Sequence, residues 1–271
     1  MTARIVVLIK QVPATESVRM DPETGTLIRA GVETIVNPLD LHAVEVALEI
    51  KESIGDVTVV ALSMGPPQAA DALREVVAMG CDQGILLTGA AFAGSDTWAT
   101  AYALSRAVQA TGGADLILCG LRATDGETGQ VGPMVATLLD MPALTYVREM
   151  EWRDSGVVAS RAIEGGREQV ECPLPALACV VREINEPRWP TLAGKRRART
   201  AEIESLGPEE IGADAVHLGL GGSPTRVVEL SRPTFQRSAE IVSLEETSLQ
   251  DGVDRLVRFL DEGGLLPWRA R

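Results

Sequence analysis

The residues with the clearest chemical potential lie in one glycine-rich stretch of the chain. Residues 116–119 form an apolar run that stops at Gly120, a polar turn follows, and an apolar helical pattern begins at Met134. In an open α/β sheet, ligands bind beyond the carboxyl ends of the strands, where the N–H groups of a following helix favour phosphate. This stretch therefore predicts a site for a nucleotide or a flavin phosphate, formed by Asp125, Gly126, Glu127, Thr128, Gly129, Gln130, Val131, Gly132 and Pro133.

The side chains of this loop indicate which parts of a nucleotide they could bind. Asp125 and Glu127 are carboxylates, which repel phosphate, so they fit better as acceptors for ribose hydroxyls or an adenine amine, or as caps on the local backbone. The backbone N–H groups of residues 128–131 are the donors that a phosphate could use. Neither a P-loop spacing nor a GxGxxG fingerprint is present, which argues against ATP hydrolysis.

Further polar segments should meet this loop at the same edge of the sheet. They are residues 10–13 after the first predicted strand, residues 63–67 after the second, and residues 37–40 before the first long helix. Asp96 opens another helix, in which Thr97 and Thr100 lie on one side, toward the crevice. The alternative for this start is an ordinary helix cap, since Ser and Asp are common N-cap residues.

The elements that position these residues alternate between strand and helix. Strands are predicted at residues 4–9, 57–62, 84–87 and 116–119, and helices at residues 40–53, 68–78, 96–111 and 130–139, with Asp40 as N-cap of the first helix. This order implies parallel strands with right-handed crossovers. Residues 144–147, 156–163 and 176–180 follow without long helices, which predicts antiparallel additions at the edge of the sheet.

The chain after residue 184 shows no regular pattern until an amphipathic helix at residues 249–260. A long segment without its own core is expected to become ordered on a partner. Two parts are therefore predicted: an α/β nucleotide- or flavin-binding domain over residues 1–184, and a partner-wrapping arm over residues 185–271. A basic cluster at residues 195–199 is expected to be a solvated face or a partner contact.

Composition excludes several classes of protein. The net charge of −13 argues against nucleic-acid binding, which needs a basic field. No apolar stretch is long enough to span a bilayer, and no signal-peptide layout is present. The four cysteines have neither CxxC nor metal-type spacing and two histidines are too few for a histidine site, so we predict reduced thiols, a cytoplasmic protein and no metal. No catalytic triad is present, so any redox chemistry must come from a bound cofactor.

In these residues the chain resembles the beta subunits of electron-transfer flavoproteins. The resemblance covers nearly the whole length and rests on ordered motifs: VLIKQVP (7–13), DPETG (21–25), NP (37–38), SMGP (63–66), AMGCD (78–82), LCG (118–120), DGETGQVGP (125–133) and NEPR (185–188) through Lys195. It implies a Rossmann-like, doubly wound, mostly parallel sheet and a heterodimer with an alpha subunit, around which an extended C-terminal arm wraps. It also implies electron transfer with a partner dehydrogenase or a quinone-linked oxidoreductase.

The family contains two kinds of beta subunit. Housekeeping members hold AMP in this pocket, whereas electron-bifurcating members hold a second FAD that takes electron pairs from NADH. The short loop at residues 125–133, the GSDT motif at 94–97 with Thr100, and GGSPT at 221–225 are more similar to the bifurcating branch, while NEPR at 185–188 is more similar to the housekeeping branch. FAD is therefore expected and AMP is the alternative. A stand-alone nucleotide-binding or nucleotide-hydrolysing α/β protein is the third hypothesis.

The resemblance also implies roles for individual residues. The family's nucleotide contacts fall on residues 125–133 and on Leu8, Asn37, Pro38, Leu39, Asp40 and Met64. Thr97 and Thr100 are expected to contact the flavin ring, and Asp96 beside them is expected to take part in cofactor binding. The family's recognition loop for partner dehydrogenases falls on residues 184–199, with Leu192 as its anchor beside Asn185, Glu186, Pro187, Arg188 and Lys195.

Overall fold

A computed structural model describes most of the chain, and the part that it describes divides into two units. The first unit spans Met1–Val228 and the second spans Glu229–Arg271. The DPETG motif at residues 21–25 lies outside the described residues. The described residues are 2–14, 33–153, 156–228, 241–243 and 247–266.

Eleven strands and seven α-helices are present in the described residues. The strands are β1 (Ala3–Leu8), β2 (Gln11–Pro13), β3 (Thr34–Val36), β4 (Val57–Met64), β5 (Gln83–Leu87), β6 (Leu116–Gly120), β7 (Ala143–Arg153), β8 (Gly156–Ile163), β9 (Gly166–Pro173), β10 (Ala176–Val180) and β11 (Ile203–Leu206). The helices are α1 (Pro38–Ile54), α2 (Ala70–Met79), α3 (Thr97–Ala110), α4 (Val131–Leu138), α5 (Leu192–Thr200), α6 (Gly219–Gly222) and α7 (Leu249–Glu262).

Nine of these strands form one sheet in the order β11-β5-β4-β1-β6-β10-β7-β8-β9. The strands from β11 to β7 are parallel, and β8 and β9 continue the sheet in antiparallel pairing. Strands β2 and β3 form a separate two-stranded antiparallel sheet. The predicted Rossmann-like, mostly parallel sheet with an antiparallel edge is confirmed.

The prediction for residues 176–180 was wrong in its place and direction. This segment, β10, lies inside the sheet between β6 and β7 and is parallel to both. All five of its residues are buried. The physical reason lies in the unbroken apolar sequence ALACV, which suits a parallel strand that is covered on both faces better than an edge strand with one face in water.

Helices cover both faces of the parallel sheet. On one face, α1 and α2 pack on alternate strand residues such as Ile5, Val7 and Val59. On the other face, α3 and α4 pack on the intervening residues such as Val6 and Ile117. The chain therefore runs from β1 through α1 to β4 on one face of the sheet, and from β5 through α3 to β6 on the other face. The strand order reverses between β1 and β6.

The first unit continues beyond residue 184, where the sequence pattern gave no regular elements. Strand β11 pairs with β5 in parallel register and forms the other edge of the sheet. Helix α5 packs on α2, with Ala198 buried between them. Further along the chain, Ile211 is buried on the opposite face of the sheet. Residues 185–228 thus gain order from contacts with the α/β unit itself.

The second unit contains α7, which confirms the helix predicted at residues 249–260. Ser248 caps this helix by accepting a hydrogen bond from the Asp251 N–H group. Leu249, Val253, Leu256 and Val257 recur at helical spacing and are exposed. One side of α7 is therefore apolar and faces solvent. Among the described residues, every helix is shorter or more polar than a membrane span requires.

Candidate functional site

The carboxyl ends of β1 and β6 define the candidate site. These two strands are neighbours, with Leu8 opposite Cys119, and the chain leaves them toward opposite faces of the sheet. Such a reversal opens a crevice beyond the strand ends, where open α/β sheets bind their ligands. Leu8 is buried at the end of β1, and Met64 is half-buried at the end of β4. We call this region the switch-point crevice.

Asp40 connects the two strand ends at the floor of the crevice. Its Oδ2 accepts a hydrogen bond from the Lys10 N–H group at 2.8 Å, and its Oδ1 accepts one from the Gly120 N–H group at 3.1 Å. A Cβ atom on Gly120 would lie 2.6 Å from Asp40 Oδ1, so this close approach requires glycine. The carboxylate therefore fixes the backbone on both sides of the crevice.

The sequence predicted Asp40 as the N-cap of α1, and this prediction was wrong. The helix begins at Pro38, with Asn37 in the N-cap position, because proline has no N–H group and suits the first helical turn. Asp40 lies inside that turn and is only 5% exposed. Burial raises the pKa of Asp40 to about 7, and hydrogen bonds from Asn37, Lys10 and Gly120, with the charge of Lys10, oppose this rise.

Asn37 holds the loop that follows β6. Its side chain is fully buried, its Nδ2 donates to the Arg122 carbonyl at 3.0 Å, and its Oδ1 accepts from the Thr124 N–H group at 3.2 Å. One amide thus satisfies a carbonyl and an N–H group of the same loop. Pro38 and Leu39 follow at the start of α1, so the segment 37–40 lies beside the loop as predicted from the sequence.

The predicted loop at residues 125–133 presents unused backbone donors. Glu127 and Gly129 have φ angles of 50° and 62°, in the left-handed region. The N–H groups of residues 128–132 form no hydrogen bond with any described residue, and Gln130, in the N-cap position of α4, provides no side-chain cap. Alternating left- and right-handed residues with free N–H groups form concave sites for anions.

Gly132 allows the start of α4 to pack on the sheet. A Cβ atom at this position would lie 2.5 Å from Cys179 Sγ and 2.8 Å from Cys119 Sγ. These two cysteines are buried on adjacent strands, with their sulfur atoms 3.6 Å apart. Gly132 thus acts by close packing, while Pro133 follows it in the first turn of the helix.

The carboxylates of the loop are paired with basic side chains. Lys10 Nζ lies 2.7 Å from the Asp125 carboxylate, and Arg122 lies 3.9 Å from Glu127. Gly126 between them is exposed, and a Cβ atom there would meet no atom within 4 Å. No sequence motif indicated these two ion pairs. Lys10 and Asp125 follow different strands, and the pairing of Arg122 with Glu127 depends on the conformation of the loop after β6.

The start of α3 lies next to the start of α4. Asp96 caps α3, with its Oδ1 accepting from the N–H groups of Trp98 and Ala99 at 3.0 Å each. Its Oδ2 accepts from the N–H and hydroxyl groups of Thr225, at 2.9 and 2.7 Å. The Thr97 hydroxyl donates to Gln130 Oε1 at 3.3 Å, which joins the two helix starts. Thr100 is half-buried one turn further along α3.

Asp96 also explains why two distant motifs belong together. Its N–H group donates to Ser223 Oγ, so the GSDT and GGSPT motifs contact one another. Partial burial, the largest single influence, would raise the pKa of Asp96, but the hydrogen bonds from Ala99, Thr225 and Trp98 together lower it below its ordinary value. Asp96 is thus an ionised cap whose oxygens are both occupied.

The predicted docking residues lie apart from the crevice, along α1 and α2. Arg188 pairs with the buried Glu45 at 2.8 Å and with Glu52, while Asn185 exchanges hydrogen bonds with His42. Glu186 and Pro187 lie between these two anchors, and Lys195 lines a groove of about 310 Å³ beside α2.

The same segment exposes apolar side chains. Leu192 is 80% exposed, and Trp189, which the sequence analysis did not single out, is 90% exposed. Helix α5 lies so close to α2 that a Cβ atom on Gly194 would be 2.0 Å from the Ala78 carbonyl oxygen. A firmly held segment therefore presents two large apolar groups to solvent. We call Trp189 and Leu192 the exposed apolar pair.

These features define a doubly wound α/β protein with a ligand crevice and a separate exposed apolar surface. The family model described as "Electron transfer flavoprotein domain" matches residues 24–211. The chain belongs to the electron transfer flavoprotein beta-subunit family.

Three curated relatives match nearly the full length of the chain. The electron transfer flavoprotein subunit beta of Thermoanaerobacterium thermosaccharolyticum is 45% identical, over 95% of this chain and 97% of its own. The subunit of the same name from Megasphaera elsdenii is 40% identical, over 94% and 97%. Subunit CarD of the caffeyl-CoA reductase–Etf complex of Acetobacterium woodii is 40% identical, over 96% and 98%.

Proposed function

We propose that this chain binds FAD through its ADP portion in the switch-point crevice and, with an alpha subunit, passes electrons from NADH or an acyl-CoA-type dehydrogenase to a downstream acceptor. The observation that carries this proposal is the row of unused N–H groups at residues 128–132, at the uncapped start of α4. Such donors suit a diphosphate. FAD, when bound, supplies the redox chemistry, and the residues of this chain position it.

The contact between the two helix starts supports a flavin rather than a single phosphate. Thr97 reaches Gln130, so the predicted ring contacts and the predicted phosphate donors lie side by side at one edge of the sheet. The carboxylates of Asp125 and Glu127 lie in the same loop as these N–H donors, and we propose that they accept hydrogen bonds from ribose hydroxyls. We therefore propose Thr97 and Thr100 as contacts of the flavin ring. Electron bifurcation is part of this proposal.

AMP in the same crevice is the second candidate function. The N–H groups of residues 128–132 could equally hold one phosphate, and the capping hydrogen bonds of Asp96 account for its motif without a flavin. In that case the subunit would be a structural scaffold and a docking module.

Two exposed surfaces support the proposed partners. The apolar side of α7, in the second unit, suits burial against an alpha subunit, and the exposed apolar pair suits a partner dehydrogenase. CarD is by its name a subunit of a reductase complex. We propose the same kind of assembly for this chain, in the cytoplasm. Within the arm predicted over residues 185–271, we propose that the second unit, residues 229–271, is the part that wraps the alpha subunit.

A cofactor count tests the choice between FAD and AMP. The chain would be purified with its native alpha partner, the complex denatured, and the released FAD and AMP quantified per heterodimer. Two FAD molecules without AMP would support the flavin in this subunit, and one FAD with one AMP would replace it by the second candidate. Release of neither nucleotide from this subunit would contradict the site at residues 125–133.

Leu192→Ala tests the docking surface. We expect slower electron transfer with the partner dehydrogenase and unchanged cofactor content, because Leu192 is 80% exposed and lies away from the crevice. Leu138→Ala, at an exposed leucine on α4, is the matched control and should leave that rate unchanged. Loss of cofactor from the Leu192 variant would show that the docking loop is misplaced.

A further inference from the structure

Lys10 projects from a fixed point at the floor of the switch-point crevice. It lies two residues beyond the end of β1. Its N–H group donates to Asp40 Oδ2 at 2.8 Å, and its carbonyl accepts from the Asn37 N–H group at 2.8 Å. Because its backbone is held on both sides, the reach of its side chain is set by its own length alone.

The ammonium group of Lys10 reaches across the crevice to the loop after β6. Its Nζ lies 2.7 Å from the carboxylate of Asp125, three residues before Thr128, whose N–H group has no partner among the described residues. The Lys10 side chain is 48% exposed, and exposed ion pairs of this kind contribute little to stability. The ammonium group can therefore exchange Asp125 for a stronger anion at small cost.

The charges of the loop create a need for such a cation. Asp125 and Glu127 both repel a phosphate, and backbone N–H groups bring only partial positive charges to it. Arg122 lies 3.9 Å from Glu127, beyond hydrogen-bonding distance, whereas Lys10 is hydrogen bonded to the loop. Lys10 therefore brings a full positive charge, through a hydrogen bond, to the loop that carries the unused donors.

We propose that Lys10 is the phosphate-binding cation of the crevice, and that its Nζ leaves Asp125 to bind the phosphate oxygens of the bound nucleotide. This inference rests on the proposed nucleotide site and adds a reason for the selectivity of that site for phosphorylated ligands. The crevice distinguishes phosphorylated adenosine from adenosine through Lys10, and Asp125 holds the ammonium group in place until the ligand arrives.

Titration calorimetry with adenosine, AMP and ADP tests this role. The full-length chain would be used in complex with its alpha partner, after removal of bound nucleotide. In Lys10→Met the affinity for ADP should fall by about tenfold or more, as expected for loss of a charged hydrogen bond, while the affinity for adenosine stays unchanged. Lys10→Arg should retain most of the affinity for ADP, and high ionic strength should weaken ADP binding in the wild type more than in Lys10→Met.

Matched variants separate this role from a general loss of charge. Lys51→Met removes a lysine of α1 that is also paired with an aspartate, Asp82, at 2.5 Å, and should leave all three affinities unchanged. Asp125→Asn removes the competing negative charge but keeps an oxygen that can accept a hydrogen bond from a ribose hydroxyl, so ADP should bind at least as tightly as in the wild type. This variant keeps the test decisive if Lys10→Met does not fold.

The outcomes distinguish this inference from the proposed function. Wild-type protein that binds ADP, with Lys10→Met binding it equally well, would overturn the role of Lys10 and leave the nucleotide site intact. The role of Lys10 would also be overturned if Arg122→Met, and not Lys10→Met, lost the preference for phosphate, or if Asp125→Asn bound ADP more weakly. Wild-type protein that binds none of the three ligands would contradict the nucleotide site itself.

Discussion

Two helix starts lie side by side at the carboxyl edge of the sheet, and they are built in opposite ways. Asp96 satisfies the first N–H groups of α3 from within the chain. Helix α4 begins without a side-chain cap, and the N–H groups of residues 128–132 have no partner among the described residues. The start of α3 is complete within the chain, and the start of α4 is the one that we propose for an anionic ligand.

Asp40 and Asp96, two aspartates near the carboxyl edge of the sheet, differ in the same way in what they hold. Asp40 is buried, and burial raises its pKa to about 7. Asp96 is half-buried with both oxygens occupied by N–H and hydroxyl donors, which lower its pKa despite the opposing effect of burial. One carboxylate fixes the frame of the crevice, and the other completes a helix.

The largest expected effect comes from filling the space under the start of α4. In Gly132→Ala the new methyl group would meet both cysteine sulfur atoms, at 2.5 and 2.8 Å. Overpacking of this kind should lower the free energy of unfolding by about 3 kcal/mol and weaken nucleotide binding, since the donor loop must shift. Gly126→Ala adds a methyl group in open space and is the control. Equal denaturation midpoints for the two variants would contradict the packing role of Gly132.

Asp40→Asn should be the next largest change. An amide supplies one acceptor where the structure uses two, so an N–H group of Lys10 or Gly120 would face another donor, at a cost of about 2 kcal/mol. The folded-state pKa of about 7 lies above the unfolded value of about 3.9, so the stability that Asp40 contributes is present below about pH 4 and is lost as the pH rises to about 7.

Chemical denaturation across this pH range measures both effects. The advantage of the wild type over Asp40→Asn should be greatest near the acid end and should shrink toward neutral pH. A difference that stays constant with pH would show that Asp40 does not bind its proton as expected.

Asp96→Ala should lower stability by about 1 kcal/mol, the usual value for an N-cap, without weakening ADP binding. The depressed pKa has the opposite sign to that of Asp40, so the contribution of Asp96 is present above the unfolded pKa and is lost in acid. Asp96→Ser, which keeps a capping oxygen, should restore most of the stability. A marked loss of ADP affinity in the alanine variant would mean that α3 also provides the phosphate site.

Gln130→Asp should have the smallest effect on stability and a clear effect on binding. A carboxylate at the start of α4 gains up to about 1 kcal/mol from the helix dipole. The same carboxylate would occupy the proposed phosphate position and repel the phosphate of ADP. The affinity for ADP should therefore fall, while the melting temperature stays level or rises. Unchanged ADP affinity, measured by calorimetry, would remove α4 from the proposed site.

The sequence was sufficient for the parts of the fold that its local pattern determines. The apolar run of β6 and the glycine-rich turn after it predicted both a strand end and a helix start, and α4 begins at Val131 as that pattern implies. The contact between Thr97 and Gln130 could not be read from spacing, because it depends on the packing of α3 against α4.

The elements that escaped prediction are those held by tertiary contacts. Helix α5 has a strongly polar sequence with a glycine at its third position, and its order comes from the close approach of Gly194 to Ala78 and from the Arg197 hydrogen bond to the Val77 carbonyl. Asp40 was expected to cap α1 because its residue type suits a cap, but Pro38 sets the helix start two residues earlier.

Helix α1 links the switch-point crevice to the exposed apolar pair. Its first turn holds the crevice through Asn37 and Asp40, and further along His42, Glu45 and Glu52 hold the segment that carries the exposed apolar pair. Seventeen helical residues make a rod of roughly 25 Å. The helix therefore keeps the switch-point crevice and the exposed apolar pair at a constant separation. Under the proposed function, any change in the distance between a bound flavin and a docked partner would have to come from movement of the partner.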